Sequence, residues 1–243
     1  MTYCVGLLLN DGMVLLSDTR TNAGLDNIAI YRKMFVFEEP GERVIAILTA
    51  GSLSVTQTTI ARLREEIENP EAGPESSILL APTMLKVAEV IGETLCSVRQ
   101  DIEGKMNAAK VSATASMIVA GQRIGGEMRM FLIYPEGNFI EATEDTPFLQ
   151  IGEHKYGKPI LDRVVTPATS IKDAQKAVLL SMDSTLRSNL SVGMPLDLAV
   201  ILRDDCKLTS RRRIEAGDAA FAAMSEAWSM ALRDGFSQIT LEA

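Results

Sequence analysis

Three residues in the first part of the chain have the types and spacing to do chemistry together: Thr2, Asp18 and Lys33. Methionine before a small second residue is normally removed, which would leave Thr2 with a free α-amine beside its own hydroxyl. An α-amine titrates at about 7.7–8.0, so near neutrality much of it can act as a base. It can take the hydroxyl proton, directly or through a water, while the oxygen attacks an amide carbonyl. No imidazole is needed. A lysine ammonium near the hydroxyl would lower its pKa and stabilise developing negative charge, and an aspartate would hold and charge-balance that lysine. The bland alternatives are a chain that merely starts Met-Thr and an ordinary strand-end ion pair.

The flanking elements must bring these residues to one place. Asn10-Asp11-Gly12 separates the apolar runs 3–9 and 13–18 and is a strong hairpin signal. Opposed residues in such a hairpin have numbers summing to roughly 21–23, which puts Asp18 across from residue 3, 4 or 5, at the Thr2 end. The polar stretch 19–32 contains Gly24 and is expected to be a loop, and Lys33 opens the next strand, 33–37, after it. That loop can return Lys33 to the same end.

Beyond this start, a strand is expected at 43–50 and a helix at 52–69, with Leu53, Thr56, Ile60, Leu63 and Ile67 on one face. A second helix is expected at 82–103, then strands at 113–121, 127–134 and 138–142, followed by a shorter apolar run at 147–152. Helices at 155–164 and 171–189 follow, the latter capped by Ser170, then strands at 196–203 and 207–214 and a helix at 218–232. Grouped strands and grouped helices, with no linker or repeat, predict a single α+β domain over residues 1–243 with two antiparallel sheets and helical layers.

Composition narrows the function. The net charge of -8 and pI near 4.9 work against binding nucleic acid or an anionic membrane, both polyanions. The basic run Arg211-Arg212-Arg213 fits a solvated edge strand or an intersubunit contact better than a nucleic-acid site. Three scattered cysteines (Cys4, Cys96, Cys206) read as buried free thiols of a reducing compartment, not a disulfide framework or metal cluster. No run approaches the roughly 20 apolar residues of a membrane span, and the start lacks a basic signal-peptide region, so a cytoplasmic protein is expected. The single histidine, His154, sits among polar residues near a helix start, which disfavours Ser-His-Asp and Cys-His machinery.

Taken together, Thr2, Ser17-Asp18-Thr19-Arg20, Lys33 and Thr49-Ala50-Gly51-Ser52 resemble proteasome β-type subunits in order and spacing. The chain more closely resembles the Anbu, or ancestral β subunit, branch. The strings are Met1-Thr2-Tyr3, Ser17-Asp18-Thr19-Arg20-Thr21-Asn22-Ala23-Gly24, Arg32-Lys33-Met34 and the run from Asp183 to Gly193. The resemblance implies a four-layer αββα sandwich of the N-terminal nucleophile hydrolase type and a homo-oligomeric ring or open helical ring. It also implies that Thr2 is nucleophile and, through its amine, general base, with Asp18 and Lys33 as its partners. Gly51 would offer its N–H to the oxyanion, where glycine lets the carbonyl come close. Ser191 would hydrogen-bond near the Thr2 amine; Thr21 and Asn22 would pair with a peptide substrate as an added strand; Thr49 and Leu53 would shape the first specificity pocket.

The pattern departs from the proteasome in two places. Ser188 stands where an aspartate is usual, and Glu153 where a serine usually follows the glycine matched by Gly152. Exposure of the amine rests on removal of Met1, since no propeptide precedes Thr2. The expected activity is a cofactor-free and metal-free threonine peptidase or amidohydrolase. A catalytically silent assembly protein and a small-molecule amidase are the alternatives. Whether an ATPase delivers substrate is not encoded in these residues.

Overall fold

A computed structural model describes residues 1–22, 28–106 and 113–241. Two five-stranded antiparallel sheets lie face to face. The first runs β10-β1-β2-β11-β12, from strands Phe148–Gly152, Tyr3–Leu9, Gly12–Asp18, Leu196–Leu202 and Ser210–Ile214. The second runs β5-β6-β7-β8-β9, from Met34–Glu39, Arg43–Gly51, Ala115–Arg123, Arg129–Ile133 and Phe139–Glu141. Helices α1 (Leu53–Glu68) and α2 (Met84–Met106) cover the outer face of the second sheet; α3 (Lys158–Val164), α4 (Ile171–Ser188) and α5 (Ala219–Gln238) lie on the side of the first. This is the four-layer αββα arrangement.

Side-chain alternation along a strand explains the three cores. On β1, Tyr3, Val5, Leu7 and Leu9 point to the α3–α4 layer, while Cys4 and the half-buried Leu8 point to the other sheet. Met13, Leu15, Leu48, Ile118 and Met130 fill the space between the sheets. Ile47, Val119 and Phe131 pack under Leu63, Ile91 and Leu95 of α1 and α2. Strands buried on both faces read as continuous apolar runs rather than alternating ones, as these do.

Several expected elements are revised. Within 19–32 the chain forms a short hairpin, β3 (Arg20–Asn22) paired with β4 (Ile28–Ile30); Gly24 lies outside the described residues. Strands of three residues with Ile28 and Ile30 exposed leave no apolar pattern to detect. The helix expected at 155–164 divides at Gly157 into a 3-10 turn (His154–Tyr156) and α3. A side chain at Gly157 would collide with Tyr3 and Ser181, so this point sits tight against the first sheet. Helix α5 continues to Gln238, with only Ser225 buried along it. It is fixed by its Asp218 cap and by Ser225, whose hydroxyl donates to Asp183 Oδ1 at 2.7 Å and accepts from Arg187 at 2.8 Å. Cys4 and Cys206 are buried free thiols, whereas Cys96 on α2 is only half-buried. Arg212 and Arg213 are paired with Asp218 and Asp197 on the edge strand β12. No helix among the described residues is long and apolar enough to cross a membrane.

Candidate active site

The β1–β2 hairpin pairs Cys4 with Ser17, a register sum of 21, so Tyr3 and the chain start lie beside Asp18. On its other side β1 pairs with β10, Tyr3 opposite Gly152. Thr2 therefore sits at the end of an interior strand between two neighbours, and it is 7% exposed. Its carbonyl accepts from the Glu153 N–H at 2.7 Å. Gly152 has φ +81, a left-handed conformation that favours glycine, and a Cβ there would run into the Thr2 carbonyl.

Asp18 and Lys33 tie the two sheets together. Asp18 ends β2 and is fully buried; Lys33 directly precedes β5 and its side chain is 7% exposed. The Lys33 ammonium donates to Asp18 Oδ1 at 2.8 Å, to the Arg20 carbonyl at 2.5 Å and to the Met1 carbonyl at 3.5 Å. Asp18 also accepts from the N–H groups of Tyr3 and Gly193, each at 3.2 Å. Burial pushes the Asp18 carboxyl above the ordinary carboxylate range, and the Lys33 charge and these donors pull it back. The ammonium thus reaches the carbonyl immediately before Thr2.

The remaining expected site residues surround this cluster unevenly. Gly51 ends β6 with φ +107, and a Cβ there would meet the Thr114 carbonyl, so glycine is required. Thr49, buried, donates its N–H to the Lys33 carbonyl at 2.8 Å and so holds Lys33 from below. Leu53 opens α1 and is half-buried. Thr21 lies on β3 opposite Ala29; Asn22 pairs with Ile28 through its backbone, while its side chain lies outside the described residues. Ser191 occupies the turn after α4, its N–H held by Asn189 Oδ1 at 2.9 Å, and Asn189 Nδ2 lies 4.0 Å from Met1 Sδ. That contact brings the turn to the chain start, but no hydrogen bond joins Ser191 to Thr2 among the described residues. Arg20 braces the same turn by donating to the Leu190 carbonyl at 2.9 Å.

Sequence reasoning missed a buried polar cluster beside the chain start. The Tyr3 phenol, buried next to Thr2 in the chain, accepts from Gln150 Nε2 at 2.6 Å and lies 2.5 Å from Ser181 Oγ. Burial pushes it up to about 12, so it stays neutral. Three elements separated by up to 178 residues meet there, and no local spacing marks them. His154 is exposed, its Nδ1 3.1 Å from the Gly152 carbonyl.

Comparison with known proteins agrees with this fold. The family model described as proteasome subunit matches residues 2–201. No curated protein matches the chain. Among solved structures, the chain is similar to an Anbu (Gly-1) mutant from Hyphomicrobium sp. strain MC1, at 46% identity over 100% of both chains, with a TM-score of 0.93. A structure described as the helical assembly of the Anbu complex from Pseudomonas aeruginosa is 44% identical over 99% of this chain and 98% of that one, with a TM-score of 0.93. Anbu (ancestral beta-subunit) from Yersinia bercovieri is 38% identical over 99% and 98%, with a TM-score of 0.91.

Proposed function

The chain belongs to the proteasome subunit family and, within it, to the Anbu group, and from that membership we propose that it is an N-terminal threonine hydrolase of peptide or peptide-like amide bonds. The observation that carries the reading is the buried Lys33 ammonium, shared between Asp18 and the carbonyl that precedes Thr2. With Met1 removed, the Thr2 amine takes the proton of the Thr2 hydroxyl, whose oxygen attacks the substrate carbonyl. Lys33 lowers the pKa of that hydroxyl, and Asp18 holds Lys33. The Gly51 N–H receives the oxyanion. The amine then returns the proton to the leaving nitrogen, the C–N bond breaks, and an acyl ester on Thr2 remains. Water, deprotonated by the same amine, hydrolyses that ester.

In this reading Ser191 orients the amine, Thr21 and Asn22 pair with the acyl portion of the substrate, and Thr49 and Leu53 shape its first side-chain pocket. Residues 1–243 act as one unit, in the cytoplasm, without metal or cofactor. They work in a homo-oligomeric ring or open helical ring. Helix α5 suits assembly, because Met230, Leu232 and Phe236 are exposed along it.

The test pairs an electrophile selective for amino-terminal threonine with mass spectrometry. An adduct should map to Thr2 in processed protein, and Thr2→Ala should abolish both adduct and peptide turnover while circular dichroism and assembly are retained. Undiminished turnover in Thr2→Ala would place the nucleophile elsewhere. A second reading, a silent assembly protein, is favoured by the Glu153 carboxylate, which lies 3.8 Å from Lys155 and makes no hydrogen bond to Thr2 among the described residues. Protein that retains Met1 in its native cell supports that reading.

A further inference from the structure

We propose that the cleft between the ends of β6, β7 and β10 receives the part of the substrate beyond the scissile bond, and that it selects for a neutral, apolar leaving segment; this rests on the hydrolase reading above. The direction follows from topology. Strand β1 lies between β2 and β10, so at its Thr2 end the chain continuing from β2 into β3 lies on one side and Gly152 of β10 on the other. An acyl portion paired with Thr21 and Asn22 of β3 therefore reaches Thr2 from the β2 side. Whatever is attached to the scissile nitrogen must leave toward β10.

A cavity of about 380 Å³ opens there, and Gly51 and Gly152 both line it. It thus borders both the N–H assigned to the oxyanion and the residue at which an added Cβ would meet the Thr2 carbonyl. Its volume falls at the lower end of small-ligand pockets, about 300–1,000 Å³, and suits one or two peptide residues. Ala115, Leu132 and Ile151 give it an apolar floor, and Thr114, Ser116, Tyr134 and His154 a polar rim. No carboxylate, ammonium or guanidinium lines it among the described residues. A charged leaving residue would find no such full charge to pair with there, whereas an aliphatic one packs on the apolar floor. The larger cavity of about 680 Å³, between α3, α4 and Trp228 of α5, contains none of the candidate catalytic residues.

The experiment takes one acyl segment from a cleaved library peptide and joins it to four leaving groups: methanol as the methyl ester, leucinamide, aspartamide and lysinamide. For the processed wild-type protein, kcat/KM for the leucinamide peptide should exceed that for the aspartamide peptide by roughly tenfold or more. Ser116→Phe and Thr114→Trp, two separate ways of filling the cavity, should each lower the ratio of leucinamide to methyl ester turnover by about tenfold. His154→Lys should shift preference toward the aspartamide peptide. Wild-type indifference to the leaving residue, with ratios unmoved in both filled variants, overturns the proposal while leaving Thr2 chemistry intact. Absence of any turnover, together with absence of a Thr2 adduct, overturns the hydrolase reading beneath it.

Discussion

Replacing Lys33 with methionine separates what the buried pair does for stability from what it does for chemistry. At 2.8 Å the pair attracts by about 6 kcal/mol at an effective dielectric of about 20. The variant does not lose all of this, because Asp18 can take a proton instead. Neutralising a carboxyl of ordinary pKa, about 3.9, costs about 4 kcal/mol at pH 7 and about 1.5 kcal/mol at pH 5. The expected deficit is therefore about 4 kcal/mol at pH 7, within the range for breaking a buried pair, and about 2.5 kcal/mol smaller at pH 5. The sign is fixed. In the variant the folded-state carboxyl titrates above its unfolded value, so its contribution is fully present at low pH and is lost as pH rises. Urea unfolding at both pH values, at one protomer concentration because assembly adds to apparent stability, measures the deficit. Adding Asp18→Asn should recover most of the stability at pH 7 and none of the turnover. A deficit below about 1 kcal/mol, equal at the two pH values, would mean that the pair is not desolvated and that the electrostatic argument for Lys33 is wrong.

Gly152→Ala places a methyl group against the Thr2 carbonyl in a left-handed backbone, so it should cost at least about 1–3 kcal/mol and lower kcat more than a hundredfold, read by thermal melting and steady-state kinetics. Ser225→Ala removes the hydroxyl that links Asp183 and Arg187, leaving a buried carboxylate oxygen short of a donor. A loss of about 1–3 kcal/mol, confined to α5 and seen as faster hydrogen exchange there, is expected. In processed protein kcat/KM should rise with pH as the Thr2 amine deprotonates, over the ordinary α-amine range of about 7.7–8.0; a flat profile between pH 6 and 8 contradicts the amine as base.

Much of the architecture could be read in advance because short-range rules govern it. The turn Asn10-Asp11-Gly12 sets the register that carries Asp18 to Tyr3, and helical spacing from Leu53 to Ile67 gives α1 with Ser52 and Asn69 at its ends. The pieces that escaped notice carry no local periodic signal. Residues 20–22 and 28–30 pair as strands too short to carry periodicity. The division at Gly157 reflects the approach of Tyr3 and Ser181 from two other elements. The outward face of α5 cannot be told from an inward one by pattern alone, since an apolar stripe serves a core or a neighbour equally. Among the expected site residues, Asp18 and Lys33 meet, as the spacing allowed. Ser191 comes only as near as the turn it occupies, because the Asn189 side chain, not the Ser191 hydroxyl, makes the contact with Met1.

The placement of the chain start between β2 and β10 also governs how the protein is handled. Anything fused ahead of Met1 must emerge between Lys33 and the Asn189 turn, and it would hold the Thr2 nitrogen as an unreactive amide. Purification handles and reporter domains therefore belong after Leu241, which is 97% exposed. On the hydrolase reading, preparations carrying an uncleaved leader tag would be inert, a result easily mistaken for a protein without a function.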